Sequence, residues 1–147
     1  MPDRIEKSIE LNAPIERVWH ALTNHEEFGA WFKVRIDRPF ALGAKSTGQI
    51  TYPGFEHVPW TAEVLAMDEP RYFSFRWPHM DEMPEVREDW AWTVVEFRLE
   101  PTSRGTRLTV TESGFDAPPE GRRSESYRMN EQGWGEQMGN VKAYVGG

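Results

Sequence analysis

The sequence predicts an α+β fold: a curved antiparallel sheet of about six to seven strands wrapped around a long C-terminal helix, with two short helices after the first strand. Three observations carry this. Residues 5–11 alternate and lead at once into a helical pattern. Residues 127–145 form one long helical pattern centred on Gly133 and Trp134. Between them lie only strand-like runs joined by short turns, which force antiparallel pairing. A sheet that wraps one late helix tends to leave a cavity between the two.

In the first run Ile5, Ile9 and Leu11 share a face that Lys7 interrupts. Asn12 is placed to cap the next helix and Pro14 to occupy its first turn. Val18, Trp19 and Leu22 follow at helical spacing. Thr23 or Asn24 ends that helix and starts a second, with Phe28, Trp31 and Phe32 as its apolar stripe, so the pair forms a V. Residues 34–37 read as a short strand, and Pro39 with Gly43 as a turn. Further strands are predicted over 46–52, 61–67, 72–77, 90–100 and 106–113. Pro53-Gly54, Asp68-Glu69-Pro70, Pro78 and Thr102-Ser103-Arg104-Gly105 punctuate them. Residues 79–89 are acidic and read as a loop, and Pro118-Pro119 and Gly121 mark a connector into the last helix. There Tyr127, Trp134, Met138, Val141 and Val145 recur at spacings of seven, four, three and four, one helical stripe.

The 147 residues are expected to form one domain, residues 1–147. Only 38% are apolar, yet seven Trp and eight Phe are present, so large rings must fill the interior. A net charge of −7 disfavours nucleic acid or an anionic membrane as partner. The absence of cysteine excludes disulfides, thiolate metal sites and a Cys nucleophile. Met1-Pro2-Asp3-Arg4 runs straight into a strand with no apolar signal segment, which makes a cytoplasmic protein the expectation. His20, His25, His57 and His79 are scattered without HxxxH or HxH spacing, so no metal and no cofactor is expected. No Ser-His-Asp arrangement, Gly-x-Ser-x-Gly elbow or Gly-rich phosphate loop is present.

This order, with these residues, resembles the START-like or SRPBCC superfamily, the Bet v-like helix-grip fold of the birch-pollen allergen. The carrying residues are Ala13-Pro14-x-x-x-Val18-Trp19-x-Ala21-Leu22-Thr23 and then Trp31-Phe32. Further on come Val64 and Pro70 leading to Phe73-x-Phe75-x-Trp77, and Gly105-Thr106-x-Leu108-x-Val110. Last are Glu112-Ser113-Gly114-Phe115 and Gly133-Trp134-x-x-x-Met138. Within the superfamily the chain looks most like the Aha-type branch, named for the C-terminal domain of the Hsp-ninety ATPase activator. The resemblance implies a stand-alone bacterial-type member without the further N-terminal domain of a full chaperone activator. The superfamily holds lipid and hormone carriers, polyketide cyclases and co-chaperone domains, so fold alone does not select among them.

In such a fold Phe73, Phe75, Trp77, Val95, Phe97, Leu99, Leu108 and Val110 face Trp134, Met138 and Val141 across the concave side. Glu112 continues the Leu108–Val110 face, so strand parity aims it inward near the cavity mouth. A carboxylate there needs a partner, either the helix, a neighbouring strand or a ligand. The expected ligand contacts are Trp31, Phe73, Phe75, Trp77, Phe97, Glu112, Trp134 and Met138, around a small apolar or aromatic, lipid- or polyketide-like molecule. Loops 53–60 and 78–89, which carry His57 and His79, would gate it. Asn130, Glu131 and Gln137 flank the apolar stripe in solvated or capping positions. Gly133, Gly135 and Gly139 suggest close approach of a strand or a second subunit, with helix mobility that opens the cavity as the alternative. Trp90 and Trp92, on the outer face, suggest an association surface such as a homodimer contact. Two other classes stay open: a cyclase- or hydrolase-like enzyme using an inward carboxylate, and a co-chaperone-like, stress-associated interaction module.

Overall fold

The computed structural model describes residues 4–54, 56, 59–78, 92–114 and 123–146, with the side chains of 78 and 123–130 excepted. Strand β1 (Arg4–Leu11) leads into helices α1 (Ile15–Thr23) and α2 (His25–Phe32). Six strands follow: β2 (Val34–Ile36), β3 (Lys45–Ile50), β4 (Pro59–Asp68), β5 (Tyr72–Pro78), β6 (Trp92–Pro101) and β7 (Thr106–Ser113). Helix α3 (Arg123–Val145) closes the order. All pairings are antiparallel and make one seven-stranded sheet, β1-β7-β6-β5-β4-β3-β2. β1 joins β7 across the whole chain, Leu11 opposite Thr106 and Arg4 opposite Ser113. This is the α+β helix-grip arrangement that the element order implies.

Local chemistry sets the corners. Pro14, with φ −65° and ψ 156°, is the cap of α1 rather than Asn12, and no side chain bonds to that helix end. The extended ψ of a residue already locked in φ by its ring starts the helix at Ile15, two residues later than an Asn12 cap implies. Asn24 does cap α2: its Oδ1 accepts from the backbone N–H of Glu26 and Glu27, both at 3.0 Å. Lys33 ends α2 in the left-handed region at φ 70°. Gly29 lets that end fold back on β2, since a Cβ there would lie 2.3 Å from the Val34 carbonyl oxygen. Gly105 likewise lets the β6–β7 turn tuck under the β1–α1 junction, where a Cβ would lie 2.1 Å from the Leu11 carbonyl oxygen. Thr106 Oγ1 donates to the Ala13 carbonyl at 2.8 Å and locks that corner.

A register shift between Val64 and Ala66 bends β4 and turns Leu65 outward. The concave face behind it is almost wholly aromatic. Phe28, Phe73, Phe75 and Phe97 have no solvent exposure, and Trp134, Met138 and Val141 of α3 close over them. Phe40, in the stretch read as a plain turn, is buried against Phe28 at a ring-centroid distance of 5.5 Å. No described strand approaches Gly133, Gly135 or Gly139: a Cβ at any of them meets nothing within 4 Å among the described residues. Nothing in the structure explains these three helix-weakening residues.

Three helices meet at Glu27. Its Oε1 accepts from Arg17 Nη1 of α1 at 2.6 Å and from the Tyr144 hydroxyl of α3 at 3.0 Å. Its Oε2 pairs with His20 Nδ1, and the Arg17 guanidinium lies 5.3 Å from the centroid of the Tyr144 ring. Burial by itself pushes the Glu27 carboxyl up, but hydrogen bonds from Arg17, Tyr144 and His20, with the Arg17 charge, hold it below its ordinary range. A carboxyl depressed on folding binds fewer protons than in the unfolded chain. Its contribution is therefore full above the ordinary glutamate value and is lost as pH falls through the lower folded value. Glu27→Gln should lower stability by about 1–2 kcal/mol at pH 7 and flatten the acid arm of the stability curve, read by urea unfolding from pH 7 to 3.

Candidate functional site

Strand parity brings one acid into the core. On β7, Thr106, Leu108, Val110 and Glu112 face inward, and Glu112 is 0% exposed. Burying a carboxylate is costly unless donors surround it. Three described donors do so. Trp77 Nε1 of β5 donates to Oε2 at 2.8 Å, and Thr93 Oγ1 of β6 donates to the same oxygen at 2.5 Å. Trp134 Nε1 of α3 donates to Oε1 at 2.9 Å. Three neighbouring strands and the helix therefore converge on one side chain. Gly114 follows at φ +102°, a backbone turn that suits glycine.

The rings around this carboxylate form a continuous wall. Trp77 and Trp134 stack at 5.8 Å with 22° between their planes. Phe97 meets Trp134 edge-on at 5.8 Å, Phe73 stacks on Phe97 at 6.2 Å, and Phe75 meets Trp77 at 5.2 Å. Trp77 and Phe32 are only partly buried, and Phe32 lies 5.9 Å from Trp77 and 6.2 Å from Trp134.

Of the expected contact residues, Trp77 and Trp134 each donate to Glu112 and stack on one another. Phe73, Phe75 and Phe97 line the wall behind them, and Met138 lies one turn beyond Trp134 on the buried side of α3. Trp31 stands apart: its Nε1 donates to the Ala21 carbonyl at 2.9 Å, so it braces α2 on α1. Half-buried Gln137 does cap a helix end, though not that of its own helix: its Nε2 donates at 3.1 Å to the carbonyl of Phe32, the last residue of α2, and ties α3 to it. Glu131 is exposed. Within the 53–60 loop, Pro59 and Trp60 belong instead to β4, and Trp60 is 4% exposed. The inner-face parity it shares with Ala62 and Val64 explains the difference. Trp92 does lie on the outer face, its ring 4.7 Å from the Arg76 guanidinium. His57, His79, Trp90, the 79–89 stretch, and the side chains of Tyr127 and Asn130 lie outside the described residues. Thr93 escaped the sequence reading, and Trp77 was read there as a ring rather than as a donor. Thr93 was legible as a polar residue on the inward parity of Val95 and Phe97, whereas the indole N–H of Trp77 was hidden behind its value as a ring.

The family model described as Activator of Hsp90 ATPase homolog 1-like protein matches residues 12–146. Among solved structures, a Mesorhizobium loti protein is 25% identical with a TM-score of 0.76, over 97% of this chain and 96% of its own. A Bacillus halodurans protein is also 25% identical, with a TM-score of 0.71 over 99% and 97%. A protein from the dynemicin biosynthetic locus is 20% identical with a TM-score of 0.76; it matches 99% of this chain, which spans 48% of its length. No curated protein matches the sequence. No helix among the described residues is long and apolar enough to cross a membrane.

The three-donor arrangement makes Glu112→Gln informative. An amide offers one acceptor oxygen and turns N–H groups toward at least one of the donors. The substitution should cost about 1–3 kcal/mol of stability, measured by denaturant unfolding, and Thr93→Val should cost less.

Proposed function

Because the chain belongs to the Activator of Hsp90 ATPase homolog 1-like family, we propose that residues 1–147 act as one domain that binds a small apolar or aromatic ligand between the sheet and α3. This helix-grip fold commonly binds hydrophobic ligands. The observation that carries the reading is the buried Glu112 carboxylate, held by Trp77, Thr93 and Trp134 beside a Trp77 ring that is only partly buried. A core built for stability alone gains little from a desolvated acid there. A ligand with a hydroxyl or N–H group gains a strong acceptor.

The mechanism is desolvation with orientation. The ligand loses water against Phe75, Phe97 and the Trp77–Trp134 stack, and its donor group competes with Trp77 or Thr93 for a Glu112 oxygen. Movement of Trp77, partly buried beside Phe32, gives access. Similarity to a protein from a biosynthetic locus fits a small-molecule role. The same reading makes the protein cytoplasmic and free of a built-in cofactor, with homodimerisation through the outer face around Trp92.

A panel of lipids, aromatics and polyketide-like compounds, followed by melting temperature and tryptophan fluorescence, tests the site. A ligand that binds only the folded state must raise the melting temperature. A saturable shift is expected, lost in Trp134→Ala or Phe97→Ala and weakened in Glu112→Gln for ligands with a donor group. Silence across the panel would turn the search to chaperone-type protein partners. For the dimer, native mass should fall on Trp92→Lys, and an unchanged mass removes that interface.

A further inference from the structure

Among the described residues three large hydrophobic side chains stand exposed, and two of them meet. Leu42 is 66% exposed and Leu65 41%. Residues 41–44 make a turn closed by Ala44 N–H, which donates to the Ala41 carbonyl at 3.0 Å. Leu42 is at its outer corner and Gly43 follows at φ +76°. Gly43 N–H donates to the Val64 carbonyl at 2.9 Å, and Val64 N–H donates to the Ala44 carbonyl at 3.1 Å. Two residues therefore oppose one of β4, a bulge that takes glycine in the left-handed region. It sets Leu42 across from Leu65, which the shift between Val64 and Ala66 turns outward. A positive-φ glycine and two irregularities in the ladder thus display a pair of leucines that the core does not use.

The same outer face carries Trp92 and Val94, both half-buried. Between the two apolar pads lies one closed ion pair. Arg76 Nη2 donates to Glu63 Oε2 at 3.0 Å, and the Arg76 guanidinium lies 4.7 Å from the Trp92 ring centroid. Glu63, Arg76 and Val94 stand in one row across β4, β5 and β6. Leu65 lies beyond that row in one strand direction and Trp92 beyond it in the other. The pads are thus the two ends of a diagonal, and β3 and β6 are three strand spacings apart, about 14 Å.

We propose that this diagonal strip, from Leu42 and Leu65 to Val94 and Trp92, is the surface on which a second copy of the chain docks face to face. The strip is complementary to itself. A two-fold axis lying between the two faces, over the Glu63–Arg76 pair, sets the leucines of each copy on the Trp92–Val94 pad of the other. It also lays the Glu63 of each copy beside the Arg76 of the other. Because the ion pair is closed within each copy, covering it leaves no charge unpaired. The proposal rests on the outer-face dimer reading above and adds a second pad and a symmetry to it. A strip four strands wide belongs with small interfaces, below about 1,200 Å² in total, so the dimer is weak and concentration-dependent.

Sedimentation equilibrium over a concentration series reads the association. Leu42→Lys and Leu65→Lys should each weaken it about tenfold, the loss of a partly covered leucine contact, with the far-ultraviolet circular dichroism unchanged. The chain has no cysteine, so introduced thiols report the symmetry. Leu65→Cys mixed with Val94→Cys should give a disulfide-linked heterodimer under mild diamide oxidation, several-fold faster than either variant links to itself. A dimer untouched by both leucine variants overturns the strip, and its loss on Trp92→Lys then keeps the outer-face dimer standing. Self-linking of either cysteine variant as fast as the mixture overturns the two-fold arrangement. A wild-type chain that is monomeric at every concentration overturns the strip and the dimer reading together.

Discussion

A carboxylate with no exposure to water must be surrounded by donors, and satisfying Glu112 draws four elements to one point. Trp77 comes from β5, Thr93 from β6, Trp134 from α3, and the acid itself from β7. Because the donors lie on successive strands and on the helix, their geometry sets the distance between sheet and helix as well as the order of the strands. Apolar rings alone would tolerate small slides of α3 along the concave face. Directional bonds to two different oxygens of one side chain do not.

The helix is held again at its far end. Tyr144 reaches Glu27, and Gln137 reaches the Phe32 carbonyl between the two anchors. The helical V and the last helix are thus tied by polar contacts along one line, while the aromatic core provides the bulk of the burial. The outer face of the sheet follows a different rule. There Arg76 bonds Glu63 and covers Trp92, and Arg98 and Tyr72 share Glu96, so charge and ring contacts stand where a second layer would otherwise pack.

Most of the architecture was legible because period and punctuation are local. The alternation around Phe73, Phe75 and Trp77, the hairpin at 102–105 and the stripe through Trp134, Met138 and Val141 each declare an element without reference to the rest. Errors arose where a residue's role depends on something distant. Asn12 reads as a cap until Pro14 takes that position, and Phe40 reads as part of a turn until Phe28 and Trp60 pack against it. The α3 glycines suggested a close strand or a second subunit, and no described strand lies within 4 Å of them.

The site divides in the same way. Parity on β7 was enough to aim Glu112 inward, since a strand alternates its side chains with period two. By itself, then, the sequence determined the element order, the antiparallel sheet and the inward acid. Only the tertiary structure decided that the acid meets two indole N–H groups and a threonine hydroxyl, that Glu27 joins three helices, and that Trp60 is left with an unpaired donor. Those facts depend on which strands become neighbours and how far the sheet curls, and hydrogen-bond partners separated by tens of residues leave no periodic trace in the chain.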